Sequence, residues 1–256
     1  MSSQTDPVRV LHLTDPHLFA DTTGVLRGAV TYATLSRVLE QYRHGGWPAD
    51  LVAVTGDLIQ DDSPDAYEHF KALLGSLDLP VHCLPGNHDN RTLMRSALDG
   101  PPFYYCDTIE IGNWLIVGID SCQTGRAGGA IDVAEFDRLD AAIDSSDADH
   151  VMVCLHHPPV AMGSAWLDTV GLEDGPEFLA RASASGKVRL AVFGHVHQDY
   201  DGMHEGIRII ATPSTCRQFK PGSEEFAVDD LPPAYRQISL HEDGNFDTEL
   251  LWLDED

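Results

Sequence analysis

Short apolar segments alternate with longer amphipathic segments in the first part of the chain. Apolar runs without polar alternation, typical of strands buried on both faces, cover Val8–Thr14, Leu51–Thr55 and Val81–Leu84. Between them, apolar positions recur every three or four residues in 28–44 and after Ser63-Pro64, where serine is expected to cap a helix that begins at proline. Strands and helices in alternation predict parallel βαβ units.

The pattern then changes to hairpins and further strand–helix units. Phe103–Ile111 and Trp114–Ile119 flank Gly112-Asn113, which predicts a tight hairpin, and Glu242–Asn245 predicts another near the end of the chain. This sequence of elements predicts a mixed α/β fold in a single domain of 1–256, with two mixed sheets packed together and helices outside. The other predicted elements are helices at 92–98, 133–143 and 177–184, and strands at 151–155, 188–193, 207–211, 235–241 and 246–252.

Composition narrows the class of protein. The 256 residues carry 41 Asp and Glu against 16 Lys and Arg, a formal charge of −25, which disfavours binding to nucleic acid or to an anionic membrane. Five cysteines are scattered without a CxxC pair, as in proteins of a reducing compartment. Neither a signal peptide nor an apolar run long enough for a bilayer is apparent in the sequence, so we expect a cytoplasmic protein.

Side chains with metal-binding chemistry follow at least five of the predicted strands. Open α/β sheets place their sites at the carboxyl ends of strands, so we expect these groups to converge. A single tetrahedral ion uses four ligands, whereas seven groups indicate two ions with one group shared. Nitrogen and oxygen donors of this kind suit Mn, Fe, Zn or Co without selecting among them. The groups are Asp15, His17, Asp57, Asn87, His156, His195 and His197.

Spacing suggests how neighbouring groups act. Asp15 and His17 are two residues apart, so in an extended chain their side chains point the same way and can bind one ion. His195 and His197 repeat that spacing. For Asp89 two interpretations stay open: it orients a neighbouring imidazole, or it caps the helix that follows.

The motifs resemble the full motif set of the calcineurin-like metallophosphoesterases and span residues 15–197. This resemblance implies a four-layer αββα sandwich with a binuclear metal centre, in which Asp57 bridges the ions and His88 faces the substrate phosphate. The motifs are Asp15-x-His17, Gly56-Asp57, Gly86-Asn87-His88-Asp89, His156 and Gly194-His195-x-His197. The ligands implied for one ion are Asp15, His17, Asp57 and His197, and those for the other are Asp57, Asn87, His156 and His195.

Within that superfamily, the sequence looks most like the bacterial class III cyclic-nucleotide phosphodiesterases. The supporting stretches are 14–18, Asp120-Ser121, 212–219, 225–227 and 233–236. The resemblance implies hydrolysis of 3′,5′-cyclic AMP to 5′-AMP by in-line attack of a metal-bridging hydroxide, with two metal ions, most readily Fe or Mn. His88 is the expected catalytic acid. The residues expected to contact the substrate are Asn87, His88, His197 and Thr215.

Two other functions are considered for this sequence. A phosphodiesterase of different specificity would act on 2′,3′-cyclic nucleotides, glycerophosphodiesters or phospholipid-like diesters. A non-catalytic scaffold is disfavoured, because it would bury carboxylates without partners. The segment 198–256 is expected to complete the sheets and the rim of the site, and an exposed hairpin edge there would allow a homodimer.

Overall fold

The computed structural model describes residues 6–98 and 100–254. Within these residues five α-helices surround two six-stranded sheets. The helices are α1 (Thr31–His44), α2 (Pro64–Gly75), α3 (Arg91–Ala97), α4 (Val133–Ser145) and α5 (Gly175–Ala184), with a 3-10 turn at Leu167–Val170. The strands are β1 (Val8–Leu13), β2 (Val25–Leu26), β3 (Ala29–Val30), β4 (Leu51–Thr55), β5 (Val81–Leu84), β6 (Phe103–Tyr105), β7 (Thr108–Ile111), β8 (Trp114–Gly118), β9 (His150–Leu155), β10 (Val188–Phe193), β11 (Tyr200–His204), β12 (Ile207–Ala211), β13 (Gln218–Phe219), β14 (Val228–Asp229), β15 (Ala234–Leu240) and β16 (Phe246–Trp252).

Both large sheets are mixed, as the sequence predicts. The first has the order β16-β15-β1-β4-β5-β6, in which β1, β4, β5 and β6 are parallel and β15 and β16 are antiparallel. The second has the order β11-β12-β10-β9-β8-β7, with a parallel centre of β12, β10, β9 and β8 and an antiparallel strand at each edge. Parallel strands β1, β4, β5, β9 and β10 therefore carry the candidate motifs at their carboxyl ends.

Three apolar layers hold the sheets and helices together. One layer packs α1, α2 and α3 on the first sheet, one packs α4 and α5 on the second, and one lies between the sheets. Strand β4 shows why its sequence is apolar throughout: Val52 and Val54 face the helices, whereas Leu51 and Ala53 face the other sheet. The predicted four-layer αββα arrangement is confirmed.

The segment 103–111 differs from its predicted form as a single strand. It is broken at Cys106, whose φ of +43° is outside the strand region. Before the break, β6 pairs with β5 in the first sheet; after it, β7 pairs with β8 in the second. The chain changes sheets here, which the strand-like composition of 103–111 does not reveal. The hairpin turn at Gly112-Asn113 is confirmed.

The first helix begins three residues later than the predicted Gly28. Arg27 and Gly28 have φ values of +50° and +87° and form the two-residue turn between β2 and β3, a conformation typical of a type I′ turn. The short strands β2, β3, β13 and β14 were not predicted, because two-residue pairings carry no periodicity. The edge strand β11 was not predicted either, because Asp201 and Gly202 interrupt its apolar positions. Within the described residues, none of the helices combines the length and apolarity needed to cross a membrane.

Trp114 on β8 ties the two sheets together. Its side chain is fully buried in the layer between the sheets, and its indole N–H donates to the carbonyl of His241 at 2.7 Å, just after β15. We expect Trp114→Ala to lower the free energy of unfolding by about 3–5 kcal/mol, because it removes a large buried side chain and leaves a cavity. Urea unfolding measures this change.

The matched control is Val133→Ala, which truncates a side chain that is 70% exposed on α4. It should change stability by less than about 0.5 kcal/mol. Equal, small effects of the two substitutions would contradict the assigned role of the layer between the sheets.

Candidate metal centre

The structure brings all seven candidate ligands to one place, between the carboxyl ends of strands from both sheets. Asp15 and His17 follow β1, and Asp57 follows β4. The remaining candidate ligands follow β5, β9 and β10: Asn87, His156, His195 and His197. Six of the seven side chains are buried, and Asn87 is half-buried.

Four of these residues form a first group of donor atoms. His197 Nε2 lies 3.3 Å from Asp15 Oδ1 and 3.2 Å from His17 Nε2. His17 Nε2 is also 3.7 Å from Asp57 Oδ2. The first group therefore combines two carboxylates and two imidazoles whose nitrogen and oxygen atoms point at one another.

A second group lies on the other side of Asp57. His156 Nε2 lies 3.5 Å from Asp57 Oδ1 and 3.2 Å from Asn87 Oδ1. His195 Nδ1 is 2.9 Å from Asn87 Oδ1 and 3.2 Å from His156 Nε2. The two oxygens of Asp57 therefore face different groups, one oxygen toward each.

The pair His195 and His197 is divided between these groups. Spacing in an extended chain predicts that both rings bind one ion, and this expectation is wrong for the observed backbone. Both residues have a positive φ, +67° and +48°, so the alternation of an extended strand does not apply. Asp15 and His17 also have positive φ, yet their side chains do meet in the first group.

The chemistry of the donor atoms fits bound cations. His156 Nδ1 donates to the carbonyl of Thr55 at 2.8 Å, and His197 Nδ1 donates to that of Arg217 at 2.5 Å. A carbonyl oxygen can only accept, so each Nδ1 carries a proton, and Nε2 is the nitrogen that faces the cluster and would bind a metal ion in the neutral ring. Lone pairs that face carboxylate and amide oxygens repel one another unless a cation lies between them. The residues present therefore suit metal ions.

Burial and neighbouring charges shift the pKa values of these side chains in opposite directions. Burial lowers the pKa values of His17 and His195 to about 3, which keeps both rings neutral and able to bind a metal. Burial raises the pKa of Asp15, but His197 and His156 together outweigh burial, and that pKa falls to about 2. For His156 the desolvation that lowers its pKa is overcome by Asp57, and the pKa rises to about 9. The negative field at the centre favours a cation.

Backbone strain is concentrated at the same residues. Among the described residues ten non-glycine positions have positive φ, and five of them are candidate ligands: Asp15, His17, Asp57, His195 and His197. A left-handed conformation costs a non-glycine residue about 1–2 kcal/mol. Strain of this kind gathers at functional sites, where the surrounding structure holds it in place.

Two glycines allow the motif loops to approach closely. A Cβ on Gly86 would lie 2.1 Å from Asp57 Oδ1, and one on Gly194 would lie 2.0 Å from Thr14 Oγ1. Any side chain at either position would push the loops apart. The glycine of each motif is therefore explained by the space that its neighbouring ligand loop occupies.

Asp89 joins two ligand loops and has neither of the roles predicted for it. Its carboxylate accepts from the backbone N–H groups of Leu58 at 3.0 Å and Gly86 at 2.9 Å, and from the Tyr67 hydroxyl at 3.1 Å. Helix α3 is capped instead by Asn90. Asp89 thus connects the loop after Asp57 with the loop that carries Asn87.

His88 and Thr215 lie in very different surroundings. His88 is exposed, its ring centroid is 5.0 Å from that of His17, and its backbone N–H donates to Asp57 Oδ1 at 2.9 Å. Thr215 is fully buried, and its backbone N–H donates to the Thr14 carbonyl at 3.1 Å. His88 lines the pocket over the centre and Thr215 does not, so Thr215 supports the loop before Asp15 from beneath.

The pocket over the centre has a volume of 190 Å³ and two unlike walls. The polar wall contains candidate ligands and His88. The second wall contains Arg27, Trp166, Phe219 and Phe226; the sequence named none of them as a site residue, although 198–256 was expected to form part of the rim. Arg27 and Phe226 come from turns without periodic signal, and their placement depends on how distant loops fold together.

His157, the neighbour of His156, is adjacent to the site, but its ring nitrogens form hydrogen bonds with groups outside the candidate ligands. Its Nδ1 is 2.9 Å from Ser121 Oγ, and its Nε2 donates to the carbonyl of Ala127 at 3.1 Å. Its ring packs against that of His195, with centroids 4.8 Å apart. With both nitrogens in hydrogen bonds, His157 supports the centre by contact with His195.

We expect Asp89→Ala to weaken the centre through its supporting loops. The substitution leaves the amides of Leu58 and Gly86 without their acceptor, and the loss should lower the free energy of unfolding by about 1.5–3 kcal/mol. It should also lower metal content per chain, measured by elemental analysis after dialysis. Asp137→Ala, at an exposed position on α4, is the control. Unchanged stability and metal content in Asp89→Ala would contradict this role.

Comparisons with known proteins agree with the geometry. The calcineurin-like phosphoesterase family matches residues 8–199. The chain is 36% identical over 248 residues to the 3′,5′-cyclic adenosine monophosphate phosphodiesterase CpdA of Pseudomonas aeruginosa, with 97% of this chain and 91% of that protein covered. It is 36% identical over 244 residues to CpdA of Escherichia coli K12, with 95% and 89% covered.

Solved structures show the same fold at low sequence identity. A dimetal phosphatase from Danio rerio superposes with a TM-score of 0.67 at 16% identity, covering 97% of this chain and 100% of that chain. A second structure, TT1561 of Thermus thermophilus, superposes with a TM-score of 0.62 at 15% identity, covering 95% and 98%. The match of sequence motifs, fold and donor chemistry leads to one assignment: the chain belongs to the calcineurin-like phosphoesterase family, the metallophosphoesterases.

Proposed function

We propose that the protein is a two-metal phosphodiesterase that hydrolyses 3′,5′-cyclic AMP to 5′-AMP. The observation that carries the proposal is the position of Asp57, which turns one carboxylate oxygen toward each of two donor groups. The substrate is supported by relatives named as cyclic AMP phosphodiesterases, which match nearly the whole chain. The proposed ligands of one ion are Asp15, His17, Asp57 and His197, and those of the other are Asp57, Asn87, His156 and His195.

The mixture of imidazole, carboxylate and amide donors suits first-row transition metals, and we propose iron or manganese. Two such ions would polarise the phosphoryl oxygens and supply a nucleophile from solvent at neutral pH. Their positive charge also explains how an anion would bind to a chain with a formal charge of −25. Asn87 and His197 lie at the pocket surface beside the proposed phosphate position.

His88 is the proposed acid for the leaving group. Hydrolysis forms a new P–O bond, breaks the P–O3′ bond and requires a proton for O3′. The side-chain amide of Gln60 lies 3.2 Å from His88 Nδ1 and orients the ring; as an imidazolium, the ring would give its Nε2 proton to O3′ and be left neutral. The ring of His88 is exposed and lies next to that of His17. Because His88 is not a proposed metal ligand, its ring is free to contact a phosphate at the centre.

We expect His88→Ala to lower kcat for cyclic AMP by about 10²–10⁴-fold, because a positioned proton donor is lost. Metal content should stay at the wild-type value, since His88 is not among the proposed ligands. Steady-state kinetics and elemental analysis on the same sample measure both quantities. His44→Ala, at an exposed position in the last turn of α1, is the control. A wild-type kcat in His88→Ala would contradict the acid role.

Substrate specificity is tested by a kinetic comparison of diesters on metal-loaded protein. We expect kcat/KM for 3′,5′-cyclic AMP to exceed that for 2′,3′-cyclic AMP and for glycerophosphoethanolamine by about tenfold or more, a difference of about 1.4 kcal/mol in transition-state binding. A higher kcat/KM for glycerophosphoethanolamine would contradict the proposal. That result would favour a phosphodiesterase of phospholipid-like diesters.

A further inference from the structure

The apolar wall of the pocket is an aromatic cluster assembled from separate loops. Trp166 lies in the segment before the 3-10 turn, Phe219 lies at the end of β13, and Phe226 lies between β13 and β14. The three ring centroids are 5.1 to 5.4 Å apart, with interplanar angles of 70° to 77°. Edge-to-face packing at these distances is favourable for aromatic rings.

Arg27 joins this cluster from the tip of the β2–β3 hairpin. Its guanidinium carbon is 4.1 Å from the centroid of Phe226 and 5.4 Å from that of Phe219, within range of a cation–π contact. Its φ of +50° is one that Gly, Asn or Asp adopts more readily in this type of turn. The turn places the guanidinium of Arg27 against the aromatic rings, and this contact explains why an arginine occupies a left-handed position.

The cluster lies at the edge of the hydrophobic core: Trp166 packs against the apolar layer on the second sheet, and Phe219 is 9% exposed. Neither Phe219 nor Phe226 belongs to the three apolar layers that hold the sheets and helices together. Phe226 is 42% exposed, although an apolar side chain of this size is ordinarily buried. A cluster whose outer members, Phe226 and Arg27, are exposed beside a phosphoesterase centre indicates a binding surface.

The aromatic wall is continuous with the candidate metal ligands. The ring of Phe219 stacks on that of His197 with centroids 4.0 Å apart and an interplanar angle of 6°. A ligand with its phosphate at the metal centre therefore has aromatic surface within the length of one sugar. Planar heterocycles stack well on such surfaces and on guanidinium groups, largely without regard to their hydrogen-bonding edges.

We propose that Arg27, Trp166, Phe219 and Phe226 form a nucleobase-binding wall, which holds the purine ring of the substrate by stacking while its phosphate lies at the polar wall. This inference rests on the proposed function and extends it to the part of the substrate that does not react. Stacking would distinguish nucleotides from diesters without a ring, and it would discriminate weakly between purines.

The test compares two 5′-phosphates that differ in the base. Equilibrium binding of 5′-AMP and of ribose 5-phosphate to manganese-loaded protein is measured by isothermal titration calorimetry. One stacked base is expected to make wild-type protein bind 5′-AMP about 5- to 150-fold more tightly. In Phe226→Ala this ratio should fall by about fivefold or more, with the affinity for ribose 5-phosphate unchanged.

Two further variants separate stacking from a structural effect. Phe226→Tyr keeps a ring and should retain the wild-type ratio, whereas Phe226→Leu keeps apolar bulk and should not. Met203→Ala, on an edge strand with its side chain 62% exposed, is the remote control and should also retain the ratio. A wild-type ratio in Phe226→Ala, or an equal loss of affinity for both ligands, would overturn the proposal.

The result does not depend on turnover. If the protein hydrolyses cyclic AMP but binds 5′-AMP and ribose 5-phosphate equally, the nucleobase wall is wrong and the proposed function stands. If the ratio is large and depends on Phe226 but cyclic AMP is not hydrolysed, the wall is supported and the proposed reaction is wrong.

Discussion

Electrostatic repulsion within a buried cluster is the constraint that organises this protein. Seven side chains bring carboxylate, amide and imidazole donor atoms close to one another between two sheets, where little water can screen their charges. In our proposal two cations compensate that repulsion. The fold must hold the donor groups in place, and it does so by presenting each group at the end of a buried parallel strand.

Much of the structure around the centre serves to hold an unfavourable arrangement. Five ligand positions adopt left-handed backbone conformations, and loops approach so closely that glycine is required at 86 and 194. Residues that are not candidate ligands hold these strained loops in place. Asp89 connects two loops by accepting from backbone amides of both and from the Tyr67 hydroxyl. The three apolar layers fix the strands from which the loops depart. Apolar packing in the three layers thus offsets the free-energy cost of the left-handed backbone conformations at the centre.

The ligand positions could be predicted from sequence because each is a local signal, a polar residue directly after an apolar run, and the sheets determine that such ends meet. The division of His195 and His197 between two groups does not follow from their spacing, because it depends on backbone conformations that spacing does not encode; only the family resemblance implied it. The change of sheet at Cys106 was hidden for a similar reason. The wall that includes Arg27 and Phe226 arises from contacts between distant turns, for which one sequence carries no periodic signal.

The position of Asp57 between two donor groups is the central claim, and anomalous X-ray diffraction from crystals of manganese-loaded protein tests it most directly. We expect two anomalous peaks about 3.5–4 Å apart, with one carboxylate oxygen of Asp57 within bonding distance of each. A single peak, or two peaks of which only one contacts Asp57, would contradict it.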